Sequence, residues 1–220
     1  MVAPSEFIPI AEETGLIVPI GEWILDQACR QAAQWPEHVS IAINLSPVQF
    51  KHRNLVKKVA DALSVSRLTP ARLQLEITES VLLDESEHNI QLLQELRGLG
   101  VKIAMDDFGT GYSSLGYLRS FPFDKIKVDQ AFVRDLPHGK ESLAIVKAVA
   151  GLGHSLGMTT TIEGVETEDQ LAAVNAEGFH EVQGYIFSRP LPPSEISKLI
   201  DGPLETGGAP CVYLANRPQS

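Results

Sequence analysis

Six apolar runs in this chain each deliver one polar or charged residue near their C-terminal end: Asn44, Glu76, Asp106, Lys127, Glu163 and Gln183. In Val39-Ser-Ile-Ala-Ile-Asn44 the aliphatics are odd-numbered, and Asn44 falls with Ser40 and Ala42. Leu73-Gln-Leu-Glu-Ile77 and Val101-Lys-Ile-Ala-Met-Asp106 repeat the pattern with Glu76 and Asp106. Ile126-Lys-Val128, Thr160-Thr-Ile-Glu163 and Val182-Gln-Gly-Tyr-Ile186 complete it. Side chains alternate across a strand, so one face of each run carries aliphatics and the other presents the polar group. One residue per strand assembles a site.

At one end of a sheet, Glu76, Asp106, Asp107 and Glu163 bring four carboxylates together. Such a group repels itself, and some members take up protons unless cations balance them. Two divalent cations would do so, leaving the Lys127 charge for an anionic substrate or a nucleophilic hydroxide. Oxygen-only ligation, with Asn44 adding an amide carbonyl, favours Mg²⁺ or Mn²⁺ over zinc or copper. No histidine stands at a strand's C-terminal end, which disfavours a zinc hydrolase. Paired hard metals on carboxylates suit phosphodiester hydrolysis.

Taken singly, these residues have ordinary explanations. Asp106-Asp107 reads as a solvated turn, Lys127 as a surface lysine, Glu163 before Gly164 as a helix opener, and Gln183 carries no signal. Their shared parity on six runs sets the functional reading above the ordinary one.

Between the runs lie segments with a helical period: 54–63, 90–97, 143–150 and 170–174. Gly98, Gly100 and Gly157 fall where helices would stop. Ahead of the first run, Pro4 to Pro9 reads as a turn, Ile10 to Thr14 as a short helix and Ile20 to Gln34 as a longer one. Strand and helix in alternation imply parallel βα units. A doubly wound open sheet gathers its ligand groups at one switch point, whereas here every strand contributes. The fold class expected is therefore α/β, a TIM-type (β/α)8 barrel. Eight strands and about 250 residues are usual for that fold, and six strands are found in 220 residues. The barrel is expected to be incomplete, with the absent strands at the N-terminus.

Composition sets bounds. At 44% hydrophobic residues the chain can bury one sizeable core. A net charge of −10 argues against a DNA or RNA polymer as partner. No apolar stretch spans a membrane and no signal peptide is seen. Cys29 and Cys211 form no framework of bridges, which suits a reducing cytoplasm.

The runs Asn44-Leu-Ser-Pro-Val-Gln-Phe50, Leu75-Glu-Ile-Thr-Glu-Ser80 and Asp106-Asp-Phe-Gly-Thr-Gly-Tyr-Ser-Ser-Leu115 resemble the EAL domain family. So do Lys125-Ile-Lys-Val-Asp129, Glu163-Gly-Val-Glu-Thr167 and Gln183-Gly-Tyr-Ile-Phe-Ser-Arg-Pro-Leu191, and the likeness runs from about Pro4 to Ile200. The resemblance implies a bacterial phosphodiesterase that linearises cyclic di-GMP to pGpG with Mg²⁺ or Mn²⁺. It implies Asn44, Glu76, Asp106 and Asp107 as metal ligands, with Glu163 joining them at the ions. It gives Lys127 and Glu163 the binding and activation of the attacking water, with Gln183 in support. Glu79 would hold the Asp-Phe-Gly-Thr-Gly loop, which couples the family's metal site to a homodimer, and Glu166 would be a supporting charge.

The Glu-Ala-Leu tripeptide that names the family, and the arginine following it, do not occur in these 220 residues. Met1 is accordingly expected to mark a fragment, a misplaced start or a degenerate member, and activity to be weakened or lost. Residues 1–201 are expected to form the domain and 202–220 a flexible tail. Two functions follow: hydrolysis of cyclic di-GMP, or a catalytically inactive module that binds cyclic di-GMP or a protein partner as a regulator. Another two-metal phosphohydrolase on the same barrel is a remote third.

Overall fold

The computed structural model describes residues 2–52, 54–82, 87–109, 118, 121 and 123–201. Among these residues six strands form one sheet: β1 (Ile41–Asn44), β2 (Leu73–Thr78), β3 (Lys102–Phe108), β4 (Lys125–Val128), β5 (Thr159–Ile162) and β6 (Glu181–Val182). They lie side by side in chain order, every pair is parallel, and the sheet curls into a half-barrel. Parallel neighbours need crossovers, and crossovers of one hand running always onward place their helices on a single face.

Before β1 come α1 (Pro4–Glu13) and α2 (Ile17–Ala32). The single turn α3 (Pro47–Phe50) and α4 (Leu55–Ser66) follow β1, and α5 (Glu79–Leu82) and α6 (Glu87–Gly98) follow β2. Later come α7 (Lys140–Leu156), α8 (Glu168–Ala176) and α9 (Pro193–Asp201). The aliphatic face of the strands (Ile41, Leu73, Leu75, Ile77, Ile103, Ile126 and Ile162) is buried against Leu25, Val59, Leu96, Val146 and Val174 of the helices. Burying these branched side chains is what turns the opposite, polar face into the hollow of the half-barrel. No helix among the described residues is long and apolar enough to cross a membrane.

Two local expectations are corrected. Pro4 to Pro9 is not a turn but the first part of α1. Pro4 sits at the first helical position, where a missing N–H costs nothing, and Pro9 forgoes only one intrahelical bond. The last apolar run stays in the sheet only as far as Val182. At Gly184 the chain passes so close to the Val165 backbone that a Cβ would sit 1.9 Å from its carbonyl oxygen. A turn follows, with Ile186 N–H bonded to the Val165 carbonyl at 3.1 Å and Phe187 N–H to that of Gly184 at 3.3 Å. The tail from Gly202, and Thr110–Leu115 of the Asp-Phe-Gly run, lie outside the described residues.

Candidate metal centre

Each strand ends in a way that leaves its polar residue at the rim. After Asn44, Ser46 caps α3 by accepting from Val48 N–H at 3.2 Å, and Gln49 returns the favour to Ser46 N–H. That reciprocal cap with Pro47 at the first helical position stops β1. After Glu163, Gly164 turns the chain at φ +76°. α8 begins only at Glu168, behind its own Thr167–Gln170 capping box, so Glu163 is not a helix opener.

The hub of the site is Lys127. Its Nζ lies 2.6 Å from Glu76 Oε2, 2.6 Å from Glu163 Oε1 and 3.2 Å from Asp106 Oδ1. Both Lys127 and Glu76 are only 1% exposed. The second Glu76 oxygen accepts from Gln74 Nε2 at 2.9 Å. Burial alone would pull the ammonium down, but Glu76, Glu163 and Asp106 overturn that and hold Lys127 above its ordinary range. One ammonium cannot neutralise three carboxylates. Burial first, with Asp106 and Glu163 adding to it against the opposing pull of Lys127, pushes Glu76 up to about 7.

Asp106, Asp107 and Glu163 each place a carboxylate oxygen within 4.8 Å of the others. Donors around a hard cation stand about 2.0–2.6 Å from it, so oxygens on its opposite sides lie about 4–5 Å apart. The three therefore fit a divalent cation by spacing and by chemistry. Asp107 reaches this group through a bulge. Met105 pairs with Ile126 and Phe108 with Val128, so β3 holds one residue more than β4 between those points. Asp107 takes up the excess in the left-handed region at φ +57°.

The other expected residues surround this centre. Asn44 is exposed at the end of β1, in register with Glu76. Glu79 Oε1 accepts from Gly109 N–H at 3.0 Å, one residue past β3. Gln183 extends the ladder beyond β6: its N–H bonds the Ile162 carbonyl at 2.8 Å and its carbonyl accepts from Val165 N–H at 3.1 Å. Among the described residues its Oε1 is buried without a hydrogen-bond partner. Glu166 is exposed, and its N–H donates to Gln170 Oε1 at 2.8 Å.

Three inner-face residues escaped the sequence reading. Lys125 Nζ lies 2.5 Å from Glu181 Oε2, and Thr161 Oγ1 donates to that same oxygen at 2.8 Å. The signal was available, because Lys125 shares parity with Lys127, Thr161 with Glu163, and Glu181 with Gln183.

The chain is similar to known proteins over most of its length. The EAL domain profile matches residues 1–190. The Sinorhizobium fredii protein y4lL is 60% identical over 94% of this chain and 25% of its own length. MucR of Pseudomonas aeruginosa, a bifunctional diguanylate cyclase/cyclic di-GMP phosphodiesterase, is 43% identical over 89% of this chain and 29% of its own. The solved MucR phosphodiesterase in complex with cyclic di-GMP superposes with a TM-score of 0.85, covering 89% of this chain and 81% of that one. BlrP1 of Klebsiella pneumoniae, solved with manganese and cyclic di-GMP, gives 0.69 at 37% identity over 74% of this chain and 42% of its own. This chain belongs to the EAL domain family, and its half-barrel is an incomplete version of the TIM-type barrel in those structures. It spans about a quarter of the length of the curated relatives.

Proposed function

We propose that this chain is the phosphodiesterase module of an EAL-type protein, hydrolysing cyclic di-GMP to linear pGpG with Mg²⁺ or Mn²⁺. The carrying observation is the meeting of Asp106, Asp107 and Glu163 oxygens within 4.8 Å beside the Lys127 ammonium. The cyclic di-GMP named in the MucR and BlrP1 structures supports the choice of substrate.

Asp106, Asp107 and Glu163 would hold the cation, with Glu76 and Asn44 adding oxygens from the neighbouring strands. When bound, divalent cations supply Lewis acidity at the phosphoryl oxygens and a water of lowered pKa. Hydrolysis adds a water across one P–O bond: its oxygen joins phosphorus and a proton ends on the departing ribose oxygen. Lys127 stays charged, so it does not take the water's proton. It fixes Glu76 and Glu163 and orients the attacking oxygen through its positive field. A rim carboxylate, Glu163, accepts the proton. The same reading includes a cytoplasmic setting and a homodimer, with Glu79 at Gly109 as the coupling contact.

The test is incubation of the chain with cyclic di-GMP and Mg²⁺ or Mn²⁺, followed by chromatography for pGpG. Slow product formation is expected, since the Glu-Ala-Leu glutamate and its arginine do not occur in these 220 residues, and Glu163→Gln should abolish it. Binding without product would replace this reading with that of a ligand-sensing module. No binding would sink both.

A further inference from the structure

We propose that the Lys125–Glu181 ion pair keeps a second ammonium out of the carboxylate cluster, so that the cluster retains the negative charge a divalent cation requires. This rests on the metal reading of that cluster. Lys125 and Lys127 both enter the hollow from β4, two residues apart, and Lys125 is only 9% exposed. In the sheet Lys125 pairs with Ala104, and Ala104 pairs with Glu76. Lys125 and Glu76 thus stand level, two strand spacings or roughly 9–10 Å apart, with only a methyl group between them. A lysine and a glutamate together cross that span.

Lys125 instead turns the other way, across β5, to Glu181 on the edge strand β6. Thr161, in register with Glu181, donates to the oxygen that Lys125 contacts and holds it in place. With this pair closed, the one ammonium among the described residues that Glu76, Asp106 and Glu163 contact is that of Lys127. With Lys125 released they would face two, and the second would compete directly with a cation in a partly buried, weakly screened space. Lys125 and Glu181 are in this sense positioning residues, acting on the metal through the charge they withhold.

The experiment is Mn²⁺ binding to the full chain, by calorimetry and by the electron paramagnetic resonance of the free ion, with circular dichroism melts confirming folding. Glu181→Gln keeps an acceptor for Thr161 but removes the negative charge that holds Lys125, and is expected to weaken Mn²⁺ binding by about tenfold or more. The double variant Lys125→Met with Glu181→Gln removes the stray ammonium and is expected to return to within about threefold of wild type, since apolar replacement of a buried pair is well tolerated. Lys125→Met alone, which can add no competing ammonium, is expected to bind no more weakly than wild type, and a folded Lys125→Met protein that binds Mn²⁺ more weakly would overturn the inference. Unchanged affinity in Glu181→Gln, or a double variant as weak as the single one, would overturn the inference and reduce the pair to a staple of β6. Wild-type protein that binds no Mn²⁺ would remove the metal reading itself, and this inference with it.

Discussion

Asp107 follows Asp106 directly in β3, yet both carboxylates lie in one group with Glu163, within 4.8 Å. In a regular strand they would point to opposite faces, and Asp107 would join Ile103 and Met105 against the helices. The left-handed backbone at Asp107, φ +57°, reverses that. Aspartate and asparagine tolerate this conformation better than most residues. The bulge is thus the device that converts two neighbours in sequence into two ligands of one site.

Asp107→Asn should separate charge from backbone. It keeps a side chain suited to the left-handed region, so the melting temperature is expected to stay within a degree or two, equivalent to about 0.5 kcal/mol. Mn²⁺ affinity should fall about tenfold or more with the lost carboxylate. Asp107→Val adds backbone strain of about 1–2 kcal/mol and should also lower the melt. Equal melts for the two variants would refute the role given to the bulge.

Lys127→Met leaves Glu76, Asp106 and Glu163 buried around a missing ammonium. Breaking a buried pair by removing one partner costs about 3–5 kcal/mol. The metal-free variant is expected to melt far below wild type, and added Mn²⁺ to recover part of the difference. Thermal melts with and without Mn²⁺ measure both. A variant as stable as wild type without metal would show that Lys127 does not hold these carboxylates.

Glu76 makes metal uptake depend on protons. Its folded pKa of about 7 lies above its ordinary value of 4.5. Between those values the folded chain binds more protons than the unfolded one, so this group contributes stability below pH 4.5 that is lost as pH rises through about 7. A cation competes with that proton. Stabilisation by Mn²⁺ is therefore expected to grow from pH 5.5 to pH 8, and binding near pH 6 to release protons. Calorimetry in two buffers of different ionisation heat reads the release directly. A gap between the melts with and without Mn²⁺ that does not change with pH would count against it.

Arg72 offers a control remote from the rim. Its Nε donates to the Val39 carbonyl at 2.7 Å, and Nη2 donates to those of Ala32 at 2.7 Å and Trp35 at 3.3 Å. It therefore satisfies the Ala32 carbonyl at the C-terminus of α2, where a cation also suits the helix dipole, and two carbonyls of the link to β1. Arg72→Ala is expected to lower stability by about 1–3 kcal/mol while leaving Mn²⁺ affinity unchanged. Weakened affinity in a folded Arg72→Ala protein would contradict the separation of scaffold from site.

Much of the fold was legible because alternation is a local property. Each of the six strands overlaps its expected run, α6, α7 and α8 enclose their segments of helical period, and α4 covers its segment except for Asn54, with Gly157 closing α7 at φ +68°. What misled was chemistry that depends on position within an element. Pro4 and Pro9 suggested a turn where a helix tolerates both, and Tyr185 and Ile186 continued an apolar pattern past the point where Gly184 is drawn onto Val165.

The residue types and their parity already determined that Asn44, Glu76, Asp106, Lys127, Glu163 and Gln183 would leave the aliphatic face of parallel strands, because a side chain's direction along a strand depends only on counting. Counting could not decide which groups pair with which. That Lys127 draws in Glu76, Asp106 and Glu163, and that Lys125 turns to Glu181, follows from strand register and from the curl of the sheet. Register and curl are set by packing between residues far apart in the chain, and distances across a hollow exist only once that packing is complete.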